Sequence, residues 1–279
     1  MALADMKDLR GKTAAITGAG GGLGRAMALA FAREGMHLAL ADVDEGALQE
    51  TASLLSRPPV VSMRVDVSKE QDIQEFSRRI DQPFLVCNNA GVSPLGAVWE
   101  NSAGDWQWIL GVNLWGVIHG VRAFAPRLIA QNEGHIVNTA SVAGLISPPG
   151  SGAYNVTKHA VVALSESLHH DLRERNSAVG VSVLCPAYVP TGISSSERNR
   201  PAGLAAGSKS ELTKAKEANL KKAVASGRLT ADDVAKAVVA AVKDDRFYIL
   251  THPRIKGAVE ARMRDILDER APRDPLRLG

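Results

Sequence analysis

Short apolar runs alternate with longer stretches of helical periodicity along the chain from Thr13 onward. The apolar runs predict strands at 13–17, 37–41, 60–65, 84–87, 135–139, 179–184 and 246–250. The periodic stretches predict helices near 23–34, 45–56, 69–80, 105–130, 152–174 and 231–243. Strands that are apolar throughout are typical of parallel sheets covered by helices on both faces. The pattern therefore predicts an α/β fold, a single doubly wound domain with a seven-stranded parallel sheet flanked by helices.

Two segments differ from this alternation. Ser, Gly, Lys and Ala dominate residues 191–227, where strand-like runs are absent. A connection of this length inside a compact domain is usually functional, so we predict a substrate lid here, either helical or a mobile loop. After the last strand, apolar residues recur at helical spacing and predict an amphipathic tail over about 253–270. Residues 1–279 are thus expected to form one domain with a lid and a helical tail.

Composition narrows the classes of partner. The chain has 33 Lys and Arg against 30 Asp and Glu, a balance too even for a protein that tracks nucleic-acid phosphates. Its two cysteines lie in apolar runs without metal-ligand spacing, as in a reduced compartment. No stretch approaches the roughly 18 apolar residues of a membrane span. We therefore expect a cytoplasmic protein that acts on small molecules and has no metal, nucleic-acid or membrane partner.

A glycine cluster follows the first strand and opens the first helix. The segment TGAGGGLG occupies residues 17–24. Glycines there allow a tight turn and close backbone approach to a pyrophosphate, whose charge would face the positive end of the helix dipole. A ligand-free strand-to-helix turn is the alternative. The dinucleotide interpretation predicts a Rossmann-type domain with Gly18, Gly22, Leu23 and Gly24 at the cofactor.

Polar residues end the next strands. Asp42, 18 residues past Gly24, is placed to accept hydrogen bonds from an adenosine ribose and would repel a 2'-phosphate. Neither Gly21 nor Val43 supplies a cation for such a phosphate, and Arg25 is expected to lie along the helix, so we predict NAD rather than NADP. Asp66 ends the third strand, where it would bind the adenine amino group or cap the following helix. The fourth strand ends in the segment NNAG, which indicates either a ligand crevice or a turn.

A hydroxyl, a phenol and an ammonium group are placed to converge farther along the chain. Tyr154 and Lys158 are four residues apart and share a helix face, and Ser141 follows the fifth strand. A phenol with an ordinary pKa of about 10 is a poor base at neutral pH. A nearby ammonium would lower that pKa by roughly 1 to 3 units. The pair is therefore a candidate general base.

Taken in order, these motifs resemble the short-chain dehydrogenase/reductase family over about residues 8 to 250. The likeness rests on residues 17–24, Asp42, Asp66, NNAG at 88–91, Asn113, Ser141, Tyr154, Lys158 and PAYVPT at 186–191. The resemblance implies a catalytic tetrad of Asn113, Ser141, Tyr154 and Lys158 beside a bound nicotinamide. Tyr154 would be the acid/base and Ser141 would bind the substrate oxygen. Lys158 would hold the nicotinamide ribose and lower the pKa of Tyr154, and Asn113 would hold a water that relays protons.

The family also implies contacts for the cofactor, with Val189 and Thr191 at the carboxamide. The full set of candidate cofactor residues is Gly18, Gly22, Leu23, Gly24, Asp42, Asp66, Val67, Asn88, Ala90, Gly91, Tyr154, Lys158, Pro186, Val189 and Thr191. The chain departs from the family pattern at Ala187, where a glycine is usual, and in its C-terminal tail.

A largely apolar set of residues is expected to form the substrate pocket. They are Ser93, Leu95, Ala143, Leu145, Tyr188 and Leu204. We therefore predict an NAD(H)-dependent oxidoreductase that interconverts a hydrophobic secondary alcohol and its ketone. The alternatives are a non-catalytic NAD(H)-binding scaffold or sensor and an NADP-linked ketoreductase. Gly116 and Gly120, four apart in a predicted helix, indicate close approach of another helix, and with the resemblance they predict a homodimer or homotetramer.

Overall fold

The computed structural model describes residues 8–277, and within that range seven parallel strands form one sheet. They are β1 (Thr13–Thr17), β2 (His37–Asp42), β3 (Val61–Arg64), β4 (Pro83–Asn88), β5 (His135–Thr139), β6 (Gly180–Leu184) and β7 (Tyr248–Ile249). Their order is β3-β2-β1-β4-β5-β6-β7, so the chain winds from the centre to one edge and then to the other. The predicted doubly wound fold is confirmed. The strand order reverses between β1 and β4, where such folds bind ligands.

Helices cover both faces of the sheet in the described part of the chain. They are α1 (Gly22–Arg33), α2 (Glu45–Ser53), α3 (Glu70–Arg78), α4 (Ala103–Leu110), α5 (Gly116–Gln131), α6 (Gly152–Glu174), α7 (Glu211–Ala225), α8 (Ala231–Lys243) and α9 (Ile255–Leu267). Side chains of adjacent strand residues point to opposite faces of the sheet. Because helices cover both faces, two consecutive apolar residues of a strand are both buried. Cys87 packs with Phe31 of α1 and Val238 of α8, whereas its neighbour Val86 packs with Phe124 of α5.

Several predicted elements differ in extent from the structure. The helix expected at 105–130 is divided by a π-helical turn over Gly111–Trp115, between α4 and α5. The segment 191–227 holds a 3-10 helix over Gly192–Asn199 and the helix α7, so much of it is helical. The edge strands β3 and β7 are shorter than predicted, because each pairs with only one neighbour.

The C-terminal tail forms the helix α9, but its apolar residues do not pack together. Met263, Ile266 and Leu267 are 43%, 55% and 74% exposed. The buried positions are Ala258 and Asp265. The helix therefore presents part of its apolar surface outward within the described residues.

Packing within the chain explains why α5 has glycine at positions 116 and 120. These glycines are therefore not evidence for a helix of a second copy, as the sequence analysis had interpreted them. A Cβ on Gly116 would lie 2.7 Å from a methyl of Val67, and one on Gly120 would lie 1.9 Å from Oδ1 of Asn88. Both glycines therefore allow α5 to approach the segments that follow β3 and end β4.

Gly120→Ala should lower the free energy of unfolding by about 1 to 3 kcal/mol, because the added methyl overpacks a closed contact. Gly257→Ala is the matched control in a helix, since a Cβ there would meet nothing within 4 Å. That control should change stability by at most about 1 kcal/mol, in the stabilising direction. Urea titrations measure both values. Equal stability of Gly120→Ala and the wild type would contradict the packing described here.

Among the helices of residues 8–277, none is long and apolar enough to cross a membrane.

Candidate active site

The carboxyl ends of the central strands open into a cavity of about 800 Å³. Most of the predicted cofactor and catalytic residues line it. They are Gly18, Gly22, Leu23, Asp42, Asp66, Val67, Ala90, Gly91, Ser141, Tyr154, Lys158, Pro186, Val189 and Thr191. This volume lies in the upper part of the range of about 300 to 1,000 Å³ that is typical of ligand pockets. It suits a dinucleotide together with a substrate.

The glycine cluster forms the turn between β1 and α1. Gly18 and Gly22 have φ values of +67° and +52°, in the left-handed region that favours glycine. Gly24 does not line the cavity, because a Cβ there would lie 1.9 Å from the carbonyl oxygen of Gly18. Its role is therefore close packing of α1 on the turn. No side chain caps α1 at Gly21, which lines the cavity, so the first N–H groups of the helix are left for a ligand.

Polar contacts join the end of β1 to the end of β4. The hydroxyl of Thr17 accepts hydrogen bonds from the backbone N–H of Asn89 (3.0 Å) and of Ala90 (3.2 Å). Asn89 lines the cavity, a residue that the sequence analysis missed. The side chain of Asn88 instead donates to Oδ1 of Asn138 at 2.9 Å within the core. The predicted contact between the Asn88 side chain and the cofactor is therefore wrong. Successive side chains leave β4 on opposite faces, and that of Asn88 points into the core.

Asp42 lies at the far end of the cavity from Tyr154. Its Oδ2 accepts a hydrogen bond from the N–H of Gly20 at 2.8 Å, and its Oδ1 accepts one from the N–H of Asp44 at 3.0 Å. Arg64 pairs with Asp42 across β2 and β3 and also lines the cavity. The candidate residues predicted from sequence omit Arg64, although the register of the two parallel strands makes it the neighbour of Asp42 in the sheet.

Arg25 does not lie along α1 as predicted, because its side chain reaches across to α2 and lines the cavity. Its guanidinium donates to the carbonyl of Gly20 at 2.6 Å and to the hydroxyl of Thr51 at 2.9 Å, and it pairs with Glu50 at 3.0 Å. These contacts hold the guanidinium against Gly20, whose N–H binds Asp42, and engage it with α2.

Asn113 lies in the π-helical turn and is fully buried. Its Oδ1 accepts from the N–H of Val92 at 2.8 Å, and its Nδ2 donates to the carbonyl of Val92 at 2.9 Å and to the hydroxyl of Thr157 at 3.3 Å. Both amide protons are therefore used within the protein. The side chain holds the segment after NNAG in place. Its N–H groups are therefore not free to bind the predicted relay water.

Ser141, Tyr154 and Lys158 meet beside the ends of β5 and β6. The hydroxyl of Ser141 donates to the carbonyl of Pro186 at 3.3 Å. Lys158 is 3% exposed, and its Nζ donates to the carbonyl of Thr139 at 2.8 Å. The same Nζ lies 5.6 Å from the centroid of the Tyr154 ring. The three groups predicted from sequence are thus brought together by α6 and two strand ends.

Burial dominates the titration of this group. It raises the pKa of Tyr154 to about 12, although the Ser141 hydroxyl favours the phenolate and opposes the shift. It lowers the pKa of Lys158 to about 8. The expected pKa of Tyr154 below its ordinary value is therefore not found for the protein alone, because desolvation by burial is the largest influence on the phenol.

Lys158→Met should remove a pH-dependent part of the stability. Burial lowers the pKa of Lys158 to about 8 in the folded protein, against 10.5 for an ordinary lysine. Between these pH values the unfolded chain binds the extra proton, so wild-type stability should rise with pH relative to the variant, by up to about 1.4 kcal/mol per pH unit. Urea titrations from pH 8 to 10.5 measure the difference. A difference that stays constant or falls would contradict a buried ammonium.

The predicted substrate residues do not line this cavity, and that prediction is corrected. None of Ser93, Leu95, Ala143, Leu145, Tyr188 or Leu204 belongs to its wall. Leu95 and Ala143 are buried, Leu145 packs on the valine cluster beside α6, and Leu204 packs with Trp108. The wall near Tyr154 is formed instead by Val92, Trp108, Val112, Ile193, Arg200 and Pro201.

A buried carboxylate attaches the lid to α4. Asp105 is 1% exposed and accepts hydrogen bonds from Nη2 of Arg200 at 2.6 Å, the N–H of Gly207 at 2.8 Å and the N–H of Ser102 at 2.9 Å. Burial favours the neutral acid, but these hydrogen bonds outweigh it and hold the pKa of Asp105 below its usual value. The guanidinium of Arg200 lies 4.4 Å from the ring centroid of Trp108. We name Asp105, Arg200 and Gly207 the lid clamp.

Comparison with known proteins supports the same interpretation. A model of the short chain dehydrogenase family matches residues 12–202. A CLA biosynthesis dehydrogenase/reductase of Lactiplantibacillus plantarum is 34% identical over 96% of this chain and 97% of its own length. A C alpha-dehydrogenase of Sphingobium sp. strain SYK-6 is 31% identical over 96% and 89%. The crystal structure of a short chain dehydrogenase/reductase from Burkholderia phymatum in complex with NAD is 50% identical, with a TM-score of 0.94 and coverage of 97% and 99%. The chain therefore belongs to the short chain dehydrogenase family.

Proposed function

We propose that this protein is an NAD(H)-dependent oxidoreductase that interconverts a hydrophobic secondary alcohol and its ketone. The observation that carries the proposal is the cavity that contains the glycine turn at one side and Ser141, Tyr154 and Lys158 at the other. The similar Burkholderia protein holds NAD in its crystal structure, and the similar relatives are named dehydrogenases.

The residues present suit a dinucleotide. The uncapped start of α1 offers backbone N–H groups, and a Cβ on Gly21 would meet no protein atom within 4 Å, so the glycine leaves open space at the turn. Asp42 would accept hydrogen bonds from the adenosine ribose, and Lys158 would donate to the nicotinamide ribose. NAD, when bound, supplies the acceptor for hydride, and its reduced form supplies the donor.

The chain's own contribution is proton transfer and orientation. In alcohol oxidation Tyr154 takes the hydroxyl proton through its phenolate oxygen, while Ser141 donates a hydrogen bond to the same substrate oxygen. The Lys158 ammonium stabilises the phenolate. Because burial raises the pKa of Tyr154 to about 12, the protein alone favours the neutral phenol, the form needed to donate a proton during ketone reduction. Asn113 positions Val92 at the wall of the cavity through its two hydrogen bonds.

Cofactor choice follows from Asp42. Its carboxylate would repel a 2'-phosphate, and Arg25 is occupied by Glu50 and Gly20. Arg64 is the observation that favours the alternative, an NADP-linked ketoreductase, since it lies beside Asp42. We expect tighter binding of NAD than of NADP, and Asp42→Ala should narrow that preference by about tenfold or more, the effect of removing one close charge repulsion. Calorimetry with both dinucleotides measures it, and a wild type that binds NADP at least as tightly contradicts the assignment.

Segment 191–227 acts in this proposal as a lid over the substrate end. Ile193, Arg200 and Pro201 belong to the cavity wall, which is more apolar there than at the adenosine end. A hydrophobic alcohol suits this wall. A screen of secondary alcohols with NAD, followed by the absorbance of reduced nicotinamide, tests the reaction class.

Two exposed apolar side chains support the expected homo-oligomer. Trp115, in the π-helical turn before α5, is 49% exposed, and Val156 of α6 is 50% exposed. Both lie on the helical segments that we expect to pack against a second copy.

A further inference from the structure

The phosphate end of the proposed NAD site lacks an obvious cation. The glycine turn offers backbone N–H groups, and the nearest basic side chain in sequence is Arg25. That guanidinium is already bound to Gly20, Thr51 and Glu50, at 2.6, 2.9 and 3.0 Å. To reach a phosphate it would have to give up these contacts. The backbone N–H groups of the turn can bind a pyrophosphate by themselves, and any cation that adds to them comes from elsewhere in the cavity wall.

Most other cations of the wall are committed or distant. Lys158 is buried on the carbonyl of Thr139. Arg200 is paired with Asp105 at 2.6 Å and with Glu197 at 2.7 Å. Arg64, at the end of β3, and Lys69, which follows Asp66, lie on the adenosine side of the cavity. Of the basic residues that the structure places in this wall, Arg198 remains.

Arg198 lies in the 3-10 segment of the lid, and its side chain folds back on Gly192 and Ser195 at the cavity wall. Its Nη1 donates to the carbonyls of Gly192 (3.1 Å) and Ser195 (2.9 Å). Within residues 8–277 its Nε and Nη2 have no hydrogen-bond partner. A Cβ on Gly192 would lie 3.2 Å from that Nη2. The guanidinium is thus held by one nitrogen and has donors free.

The lid also contacts the first residue of α1. A Cβ on Gly22 would lie 3.2 Å from Cβ of Thr191, the residue before Gly192. Thr191, Gly192 and Arg198 therefore connect the start of α1 to the exposed guanidinium. An arginine with free donors matches the paired oxygens of a phosphate, and the partial positive charge of the helix start would act on the same group.

We propose that Arg198 binds the pyrophosphate of NAD and thereby ties the lid to the bound cofactor. This inference rests on the proposed NAD-dependent function. It gives cofactor binding a second effect, since the phosphate contact would fix residues 192–200 over the cavity before the substrate arrives. Arg200 lies two residues farther along and belongs to the lid clamp. Fixing residues 192–200 would therefore also fix the cavity wall beside Trp108.

ADP-ribose is the appropriate probe, because it carries the pyrophosphate and both riboses but no nicotinamide. Calorimetry should show about tenfold weaker binding of ADP-ribose to Arg198→Leu than to the wild type, the effect of losing one charge-assisted hydrogen bond. Arg198→Lys keeps the charge but loses the paired donors, so its affinity for ADP-ribose should lie between those of the wild type and Arg198→Leu. Adenosine should bind equally to all three proteins. Arg228→Leu is the matched control, an exposed arginine outside the cavity wall, and should bind ADP-ribose as the wild type does.

Hydrogen exchange gives an independent result. ADP-ribose should slow exchange of the amides in 192–200 in the wild type and in Arg198→Lys, but not in Arg198→Leu. Unchanged ADP-ribose affinity in Arg198→Leu overturns the proposal, and so does an equal loss in Arg198→Lys, which would assign Arg198 to holding the 3-10 turn. Failure of the wild type itself to bind NAD and ADP-ribose would instead refute the proposed function, and this inference with it.

Discussion

Tyr154→Phe should lower kcat for alcohol oxidation by about 10²- to 10⁴-fold, the usual contribution of a positioned acid or base. The phenol oxygen is the group that exchanges a proton with the substrate, and phenylalanine keeps the ring in place without it. Binding of NAD should be nearly unchanged, because the lost atom acts on the substrate. Steady-state kinetics and calorimetry on the same preparation measure the two quantities.

Tyr248→Phe is the matched control for that variant. Tyr248 loses the same oxygen, but it lies on β7, outside the cavity wall, where its hydroxyl contacts Glu166. Its kcat should stay within about twofold of the wild type, since surface changes away from the site have small effects. A Tyr154→Phe protein that keeps a near-normal rate would refute the assignment of Tyr154 as acid and base.

Asp105→Ala should detach the lid. The change leaves the N–H of Gly207 without its acceptor and leaves Glu197 as the remaining carboxylate partner of Arg200. Breaking a buried ion pair by removal of one partner costs about 3 to 5 kcal/mol. The amides of 191–227 should therefore exchange faster by about 10²-fold or more. KM for the alcohol should rise, because Arg200 and Pro201 line the cavity where we propose that the substrate binds.

Loss of a helix cap alone must be separated from loss of the clamp. Asp233→Ala is suited to this, because Asp233 has the same position in the capping box of α8 that Asp105 has in α4. It contacts Thr230 and no lid residue. Its loss should cost about 1 kcal/mol and leave exchange in 191–227 unchanged. Lid exchange that is unaffected in Asp105→Ala, or equally fast in Asp233→Ala, would show that the clamp does not hold the lid.

The sheet and the cofactor side of the cavity were predictable because their signals are local. An apolar run such as 135–139 is buried on both faces wherever it pairs in a parallel sheet. Glycine is favoured at positions 18 and 22 because the backbone of the turn is left-handed there. Tyr154 and Lys158 share a helix face by spacing alone. Each of these features can be predicted from a short stretch of sequence, without knowing which helices pack together.

The remaining features depend on packing that the sequence does not display. The direction of the Asn88 side chain is set by Gly120 and Asn138, residues that are 32 and 50 positions away. The predicted substrate residues lie outside the cavity wall, because Trp108 and residues of segment 191–227 form that part of it. The pKa of Tyr154 was predicted in the wrong direction for the protein alone, because the degree of burial cannot be read from a Tyr-x-x-x-Lys spacing.

Transfer of deuterium tests Tyr154-assisted hydride transfer most directly. A panel of hydrophobic secondary alcohols deuterated at the carbinol carbon would be incubated with NAD and the wild-type protein, and the reduced cofactor analysed by mass spectrometry. We expect deuterium in the reduced cofactor, formation of the matching ketone, and loss of both products in Tyr154→Phe while that variant still binds NAD. Tight NAD binding by the wild type without label transfer from any alcohol, or undiminished transfer in Tyr154→Phe, would contradict the proposed reaction.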